Sequence, residues 1–528
     1  MNRIFKSPLT WVFIIAMGVR FYLSVFTAVV NPDGLIYIQQ ARAIYFQQWS
    51  AINACGMKYL SILPPLIAGA FAVFHDWVVA GRFIGLLFSC GMFVPLYFIL
   101  KRFFDARITR LTLLVYAFIP ALAGRSAEVI RGPVFWFFLL TALWMVLRHH
   151  DTGDANRSER NNGRKGLNLI LACLCLMVAA WARIESILYL CITAGYLFYR
   201  EKGRRIQSLT IFLLPLIVMA AMGIVAALAL DLPLTRLFRL DKPVEVLAHF
   251  MDDYHGLRAS LDSLANSQHG LVAEFLNQAG KFAWIVPLGP FLDCLAEKFF
   301  YPYLLIFLLG FAGLRQRMKT DPRIAYFVWL CLGATVMLYL YILKTWLMYD
   351  RFLINLILPA VLIVGFGCEN LVQWLTARWR ISPKRAAIFL AVGILAFGLG
   401  KNVHPRYAEK AIFPQMAEAI INGKAPGERV RIAAGRSKAY NWVFFYANRD
   451  VSGVLCDETE SVVIGKSYPV FLSRLKKENV RYVLWSRKTW PKESFDLMTE
   501  SWAADFQTIG KWNYDGKEDY LLLRRKAG

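Results

Sequence analysis

The sequence predicts a polytopic α-helical membrane protein that ends in a small extracytoplasmic α/β domain. Of its 528 residues, 57% are hydrophobic and 18% are charged, whereas soluble domains carry about 25% charged residues. The mean hydropathy is +0.44, and several apolar segments approach the ~20 residues that a helix needs to cross a bilayer. After residue 401 the pattern changes to short strands and helices. We therefore divide the chain into a membrane domain, 1–401, and a C-terminal domain, 402–528.

The formal net charge of +24 comes from 60 Lys and Arg residues against 36 Asp and Glu residues. In a soluble protein such an excess would suggest a nucleic-acid partner, but here the basic residues cluster between apolar segments. This is the pattern of cytoplasmic loops under the positive-inside rule, with further contacts to lipid headgroups. We therefore expect no nucleic-acid partner. The basic clusters are Arg3 and Lys6; Lys101, Arg102, Arg107 and Arg110; 148–165; 200–205; 315–323; and 378–385.

Successive basic clusters require the chain to cross the membrane outward and back, which puts the N-terminus inside and the C-terminus outside. The first apolar segment is too long for a signal-peptide core and lacks a small-residue cleavage site, so we expect a retained helix. The topology has about eleven spans, at 9–30, 77–100, 108–123, 132–148, 166–182, 184–200, 207–230, 300–315, 324–343, 352–374 and 386–401.

The apolar segment 59–74 does not fit as a further span. A crossing here would turn the next basic cluster outward, against the charge rule. The adjacent prolines Pro64 and Pro65 also interrupt its helical pattern. We expect an interfacial or partly embedded helix on the outer side, within an outer loop, 31–76. A second long outer loop covers 231–299.

The tail, 402–528, alternates strand and helix patterns, which predicts a small α/β domain outside the membrane. Its first strand is not followed by the glycine spacing of a phosphate-binding or dinucleotide-binding loop. We therefore expect the tail to cover a site or to bind a partner rather than to catalyse. The predicted strands are 429–435, 480–486 and 519–525, and the predicted helices are 437–447 and 467–478.

Ionisable side chains occur at the outer ends of the predicted spans, where a functional role is the default explanation for charge near lipid. They lie in the first loop (Asp33, Arg42, Lys58), in GRSAEVIRG (Arg125, Glu128, Arg131), in WARIES (Arg183, Glu185) and in KTWLMYDRF (Lys344, Tyr349, Asp350, Arg351). Carboxylates and cations at one membrane face suit an anionic lipid headgroup. Arg and Lys would hold a phosphate, and a carboxylate would take a proton from an attacking hydroxyl.

Each of these residues also has a purely structural explanation. Asp33 follows Pro32 at the start of a helical pattern, where it would serve as an N-cap. Glu128 would form an ion pair with Arg125 or Arg131. Similar explanations apply to the others: Arg183 and Glu185 would pair at a helix hairpin, and Lys58, Lys344 and Arg351 would anchor helix ends at the interface.

The long outer loop contains His249, Asp252, Asp253 and His255, which offer enough donor atoms for a divalent metal. The His-x5-His spacing is not a zinc signature, so a solvated loop is the competing explanation. The sequence has no Ser-His-Asp order, P-loop or HExxH motif, which excludes the corresponding chemistries.

Several segments resemble, in order along 1–400, the motifs of the GT-C superfamily of membrane glycosyltransferases. NPDGLIYIQQARAI (31–44) is similar to the first-loop motif with its Asp, and LPPLIAGAFAVF (63–74) to the proline-led segment after it. IPALAGRSAEVIRG (119–132) is similar to the turn that carries an acid, AAWARIESILYL (179–190) to a later Arg-containing turn, and YDRFLINLILPAVL (349–362) to a late span led by Arg.

The resemblance is to the bacterial branch that uses polyprenyl-phosphate sugars, which includes protein O-mannosyltransferases and lipid A aminoarabinose transferases. Many members of this branch carry Glu after the first-loop Asp, whereas Gly34 follows Asp33 here. That difference removes a second acid that could contact a metal. The long outer loop and the tail match no particular subfamily.

The resemblance implies an inverting transfer of a hexosyl or pentosyl group from a polyprenyl-phosphate donor to an acceptor hydroxyl. The site would lie on the outer face of the bacterial inner membrane, and the acceptor would be a glycan, lipid or protein. Asp33 would be the general base, and Glu128 would orient its surroundings or the acceptor. No cofactor is required, and a divalent metal is left open. The cations implied for the donor phosphate are Lys58, Arg125, Arg131, Lys344 and Arg351.

Two other functions would use the same residues. A transporter or flippase of lipid-linked sugars would share the basic groove but would need access from both membrane faces. Neither internal repeats nor charged pairs at span centres are evident in the sequence, which favours an enzyme. A non-catalytic scaffold would tolerate the loss of Asp33.

Overall fold

The computed structural model describes residues 8–53, 59–151, 158–229, 251–435, 437–455 and 464–526. The chain forms two compact units, each considered separately below. The helical unit comprises Met1–Val19, Phe88–Arg125 and Gly132–Asn402, and the tail unit comprises Arg20–Leu87, Ser126–Arg131 and Val403–Gly528. The tail unit therefore contains the first predicted outer loop as well as the C-terminal tail. That residues 402–528 form a domain of their own stays a prediction.

Most of the described residues are helical. The α-helices are Pro8–Val25, Pro32–Tyr45, Leu63–Phe74, Trp77–Gly91, Phe93–Leu100, Ala106–Phe118, Pro120–Arg125, Gly132–Asp151, Ser158–Ala182, Ser186–Arg200, Arg205–Ala229, Asp252–Asn266, Leu271–Phe282, Leu288–Phe299, Tyr301–Leu309, Leu314–Thr320, Pro322–Thr345, Asp350–Ile357, Val361–Trp379, Pro383–Asn402, Ile412–Ile421, Lys438–Ala447, Tyr468–Lys477 and Trp502–Asp505. Short 3-10 helices are Trp49–Asn53, Ala408–Ala411 and Leu497–Thr499.

Among the described residues, 7 helices are long and apolar enough to cross a membrane. A bent pair, Asp350–Ile357 and Val361–Trp379, makes 8 if its 70° bend lies within one span. The chain is a multi-pass membrane protein. Each predicted span overlaps a helix, but three of these helices are short: Ala106–Phe118, Ser186–Arg200 and Tyr301–Leu309. The count of eleven spans therefore stays a prediction.

Local chemistry explains the end of one of the shorter helices. Ile119 has a ψ of 117°, the extended conformation that the following proline favours, so the preceding helix ends at Phe118. The helix Tyr301–Leu309 ends at a close backbone contact in the helical unit. A Cβ on Gly310 would lie 1.9 Å from the carbonyl oxygen of Ile363. Only glycine allows two helix backbones to approach this closely.

The C-terminal part of the tail unit contains a four-stranded sheet in the order β1-β2-β4-β3. The strands are β1 Ile432–Ala434, β2 Tyr482–Trp485, β3 Phe506–Tyr514 and β4 Glu518–Arg525. β1 and β2 are parallel, whereas β4 is antiparallel to both of its neighbours. The helices Lys438–Ala447 and Tyr468–Lys477 lie between β1 and β2 in the chain. These two helices and the strands β1, β2 and β4 confirm the sequence predictions.

The sequence patterns do not predict β3. Its residues FQTIGKWNY include a glycine, and Phe506 is the one fully buried residue in the strand. The alternation that marks a half-buried strand is therefore weak. The hairpin to β4 explains the pairing, because Asp515 and Gly516 at its turn have φ of 53° and 67°, which suit a tight β-hairpin.

The first predicted outer loop lies in the tail unit as well. Its helix Leu63–Phe74 has 12 residues and is too short to span a bilayer, in agreement with the expectation for this segment. The tail fixes the start of the loop through the backbone of Val30. Val30 N–H donates to the hydroxyl of Tyr446 at 2.9 Å, and Trp442 Nε1 donates to the carbonyl of Val30 at 2.6 Å.

Candidate active site

Asp33 lies in the first turn of the helix Pro32–Tyr45, and its side chain is exposed to solvent. The N-cap is Asn31, whose backbone is extended, and Pro32 is the first helical residue. The interpretation of Asp33 as the cap is therefore wrong, because proline already occupies the position at which the helical backbone begins. The positive end of the helix dipole stabilises a negative charge at this point. The structure thus presents a carboxylate to solvent at a helix N-terminus.

The segment 126–131 packs tightly against the helix that carries Asp33. A Cβ on Gly34 would lie 2.9 Å from the Cβ of Val129, and a Cβ on Gly81 would lie 2.9 Å from its Cγ1. Two helices of the tail unit therefore leave room for this segment only because they have glycine at the contact. The Glu that the family resemblance would place at position 34 has no space here. This packing fixes the backbone beside Asp33.

Glu128 is buried within the tail unit, with 3% of its surface exposed. The hydroxyl of Tyr407 donates to Glu128 Oε1 at 2.9 Å, and Lys410 Nζ lies 3.9 Å from the centroid of the Tyr407 ring. Burial lowers the pKa of Lys410, while the charges of Glu409 and Glu128 act in the opposite direction. A buried, hydrogen-bonded carboxylate suits an orienting role better than direct proton transfer from an acceptor.

Arg131 places a cation near the face of the helix that carries Asp33. Its guanidinium carbon lies 5.6 Å from the ring centroid of Tyr37 and 5.2 Å from that of Tyr59. Tyr37 is four residues after Asp33, so the two side chains lie on one face of the helix. The two aromatic rings hold the guanidinium by cation–π contacts. A candidate phosphate-binding residue and the candidate base therefore occur within one unit.

Arg42 is not accessible to a ligand, and its contacts are structural. It is fully buried in the tail unit, and its guanidinium donates to the carbonyl of Gly453 at 2.6 Å and to that of Val451. Burial lowers its pKa to about 10, with the charge of Asp450 opposing this effect. The group is still protonated at neutral pH. Arg42 therefore ties the first-loop helix to the tail.

The helical unit contains the other predicted phosphate-binding residues. Arg125 ends the short helix Pro120–Arg125, and its guanidinium forms an ion pair with Asp350. Both side chains are about one quarter exposed, so the pair is accessible from solvent. Asp350 starts the helix Asp350–Ile357. The ion pair orients Arg125 and offsets part of its charge.

Arg183 and Glu185 form the ion pair that the sequence suggests for this hairpin. Arg183 Nη2 lies 2.7 Å from Glu185 Oε1, and its Nη1 donates to the carbonyl of Arg351 at 3.0 Å. The guanidinium also lies 5.8 Å and 5.2 Å from the ring centroids of Phe135 and Phe352. Arg183 is buried and therefore supports the backbone that carries Arg351.

Arg351 is exposed, with its guanidinium carbon 5.2 Å from the ring centroid of Tyr349. Lys344 is half-buried in the last turn of the helix Pro322–Thr345. The residues after this helix line a cavity of about 420 Å³ in the helical unit. The cavity is lined by Pro290, Asp293, Cys294, Glu297, Lys298, Trp346, Leu347, Met348, Tyr349 and Asp350.

Two predicted residues, Lys58 and His249, lie outside the described residues. The other weak metal candidates, Asp252, Asp253 and His255, are at the start of the helix Asp252–Asn266. Within the described ranges, the group of three metal-binding side chains with converging ligand atoms is a different one: His149, His150 and Glu201.

Sequence reasoning missed Tyr407 and Lys410 as neighbours of Glu128. Both residues lie in HPRYAEK, just after the last predicted span. Their position near the membrane was the only feature of the sequence that could have suggested a functional role. It also missed the carboxylates Asp293 and Glu297 in the cavity wall. The sequence predicts no contact for these two carboxylates, because a helical pattern does not show which part of the fold a side chain faces.

The fold is similar to that of solved structures of ArnT and of an archaeal oligosaccharyltransferase. ArnT from Cupriavidus metallidurans bound to undecaprenyl phosphate has a TM-score of 0.56 to this chain at 11% identity, with 99% of each chain covered. The Archaeoglobus fulgidus oligosaccharyltransferase in complex with Zn and sulfate has a TM-score of 0.55 at 12% identity, covering 90% of this chain and 67% of that chain.

The oligosaccharyltransferase AglB from Archaeoglobus fulgidus in complex with an inhibitory peptide and a dolichol-phosphate has a TM-score of 0.50. It is 13% identical over 98% of this chain and 74% of that chain. At such identities the likeness shows a shared fold. No protein-family profile matches the sequence, and no curated protein matches it either.

Proposed function

We propose that the chain is an inverting glycosyltransferase that moves a sugar from a polyprenyl-phosphate donor to an acceptor hydroxyl. The observation that carries this proposal is the full-length likeness to an ArnT structure that contains undecaprenyl phosphate. The arrangement would have about eleven spans in a bacterial inner membrane, with the N-terminus inside. The tail and the reaction would be on the extracytoplasmic face, where no nucleotide sugar is needed.

In this proposal Asp33 is the general base. Its exposed carboxylate takes the proton of the acceptor hydroxyl as that oxygen attacks the anomeric carbon. The new bond forms on the side opposite the phosphate, and the bond from the anomeric carbon to the phosphate oxygen breaks. The polyprenyl phosphate leaves with the bonding electrons, so the configuration inverts. Phosphate is already a good leaving group, and no general acid is required.

The cations stabilise the negative charge on the departing phosphate, an electrostatic task suited to a site that excludes water. Arg125, Arg131, Lys344 and Arg351 are the candidates for this role. Lys58, which lies outside the described residues, belongs to the same set. Glu128 orients the segment that carries Arg131 through its hydrogen bond from Tyr407.

The Asp33→Asn variant tests the proposal. A general base typically contributes about 10²- to 10⁴-fold to the rate, so we expect a loss of this size in sugar transfer by purified protein in lipid nanodiscs. Because the asparagine keeps the shape of the side chain, donor-lipid binding should be unchanged. The measurement is single-turnover transfer from a synthetic polyprenyl-phosphate sugar, followed by mass spectrometry of the lipid.

Glu274→Gln is the matched control, since Glu274 is another exposed carboxylate in the first turn of a helix of the predicted outer loops. It should leave transfer unchanged. Wild-type turnover by Asp33→Asn would remove Asp33 from the mechanism. Movement of the donor lipid across vesicle membranes by wild type and Asp33→Asn alike, without bond formation, would establish the flippase instead.

A further inference from the structure

A second cluster of functional side chains lies in the helical unit, on the side that the charge pattern predicts to be cytoplasmic. His149 and His150 lie in the last turn of the helix Gly132–Asp151, and Glu201 follows the helix Ser186–Arg200. The proposed transfer reaction uses none of them. Each residue offers one ligand atom, and these atoms all lie within 4.8 Å of one another.

The hydrogen bonds of His149 require a positive charge between its ring and Glu201. Its Nδ1 lies 3.1 Å from the carbonyl oxygen of Lys165, which only accepts, so Nδ1 carries the hydrogen. Its Nε2 lies 2.5 Å from Glu201 Oε1. A neutral ring would then direct a lone pair at the lone pairs of a carboxylate. Either a second proton or a metal ion must separate them.

His150 distinguishes between these two solutions. Its Nε2 is screened from solvent and has no hydrogen-bond partner among the described residues. The ring packs at a right angle to Tyr196, with 5.5 Å between centroids, and lies 5.2 Å from the ring of His149. A proton on His149 would satisfy Glu201 but would leave the buried nitrogen of His150 unpaired, which is costly. A metal ion would satisfy both rings and the carboxylate once His149 Nε2 and Glu201 Oε1 move from 2.5 Å to the roughly 3.3 Å that separates two ligands of a tetrahedral zinc ion.

Neighbouring groups hold the ligands in the orientation that such a site needs. The hydroxyl of Ser208 donates to Glu201 Oε2, which leaves Oε1 to face His149. The carbonyl of Lys165 fixes the His149 ring with Nε2 pointing inward. Outer partners of this kind fix the tautomer of a metal-binding histidine and are a regular part of zinc sites.

We propose that His149, His150 and Glu201 bind Zn²⁺. Two imidazoles and one carboxylate form a donor set that zinc accepts, with water or a further oxygen as the fourth ligand. The ion would connect the ends of the helices Gly132–Asp151 and Ser186–Arg200. The role is structural and separate from the proposed transfer site.

The surrounding charges limit how tightly the ion is held. Arg200 and Arg323 act electrostatically on His150 and oppose a divalent cation. Arg323 is partly neutralised by Asp321, whose Oδ2 lies 2.8 Å from its guanidinium. We therefore expect a site that a chelator such as EDTA empties without denaturing the protein.

Metal analysis of the full-length protein tests the proposal. Protein purified in detergent without an oligohistidine tag is stripped with EDTA, dialysed against Zn²⁺ and measured by inductively coupled plasma mass spectrometry. We expect about one zinc ion per chain in the wild type. His150→Gln and Glu201→Gln should bind zinc roughly 10- to 100-fold more weakly, as even the loss of an outer partner does.

The control variant combines Asp252→Asn, Asp253→Asn and His255→Gln, the alternative donors in the long outer loop. It should keep the wild-type zinc content. Absence of stoichiometric zinc from the wild type would overturn the proposal, and so would full zinc binding by His150→Gln. Loss of zinc only in the outer-loop variant would move the site to that loop.

Cobalt substitution keeps the test valid if the variants fold poorly. The wild type loaded with Co²⁺ should show the visible absorption of a low-coordinate site with nitrogen and oxygen ligands. In its NMR spectrum, the paramagnetic metal should shift the resonances of the binding histidines. The weak spectrum of hydrated octahedral Co²⁺ would contradict a His-His-Glu site without reference to any variant.

Discussion

The two units hold their candidate functional residues in different ways. In the helical unit, buried Arg183 pairs with Glu185, so charge is held by opposite charge. In the tail unit, the position of Asp33 is set by its backbone, because Gly34 lets the helix pack directly against Val129. Ion pairing thus supports the backbone of a candidate phosphate-binding residue in the helical unit, and close packing fixes the backbone beside the candidate base in the tail unit.

Removal of Arg183 should have the largest effect on stability. Arg183→Met removes the guanidinium that pairs with Glu185 in a mostly buried position, and breaking a buried ion pair costs about 3–5 kcal/mol. The backbone carbonyl of Arg351 loses its donor as well. We expect a lower unfolding temperature in detergent, measured by differential scanning fluorimetry, together with weaker donor-lipid binding.

Arg107→Met is the matched control, because Arg107 pairs with Asp105 at the same two-residue spacing. Both side chains of that pair are nearly half exposed. Exposed pairs contribute about 0–1 kcal/mol, so the unfolding temperature should change little. Equal shifts for the two variants would show that burial does not distinguish the two pairs.

A methyl group at Gly34 should disturb the tail unit. In Gly34→Ala the new Cβ would lie within 3 Å of one side-chain atom each of Asn31, Val30 and Val129. Overpacking of this kind costs about 1–3 kcal/mol. Because the same contact places Asp33, transfer activity should fall along with the unfolding temperature. Activity is measured as turnover per folded molecule, after size-exclusion chromatography.

Gly69→Ala provides the comparison. Gly69 lies in the helix Leu63–Phe74 of the same unit, and a Cβ there meets nothing within 4 Å. Alanine should stabilise this helix by up to about 1 kcal/mol, the usual difference in helix propensity. If Gly34→Ala proved as harmless as Gly69→Ala, close packing would not be what positions Asp33.

Local patterns in the sequence were enough to predict much of this structure. Hydropathy located a helix at each predicted span. Short strand-like segments in the tail located β1, β2 and β4. The pair Arg183 and Glu185 is two residues apart, so its geometry depends on a single turn. The helical pattern that begins at Asp33 was visible for the same reason, although the structure places the N-cap at Asn31.

The contacts that complete the site join distant parts of the chain, which no local pattern encodes. Tyr407 and Glu128 are 279 residues apart in sequence. Gly34 looked like the loss of an acid, whereas the structure shows that it makes room for Val129. His149 and Glu201 appeared only as members of two basic loops until the fold brought them together.

The hydrogen bond of Tyr407 offers the smallest and most specific test. In Tyr407→Phe, Glu128 loses the hydroxyl that lies 2.9 Å from its Oε1. If Glu128 orients the segment that carries Arg131, transfer should slow by roughly tenfold, which corresponds to about 1.4 kcal/mol of barrier height. The loss of one hydrogen bond should cost about 1 kcal/mol of stability.

Tyr468→Phe separates these two effects. Tyr468 also donates to a carboxylate of the tail unit, Asp505, at 2.8 Å, but it packs in the core beside the sheet. We expect a similar loss of stability and no loss of transfer rate. If both variants reduced activity in proportion to their stability, Glu128 would be a packing residue. If only Tyr407→Phe slows transfer, then the tail unit positions its catalytic groups through a buried carboxylate as well as through glycine packing.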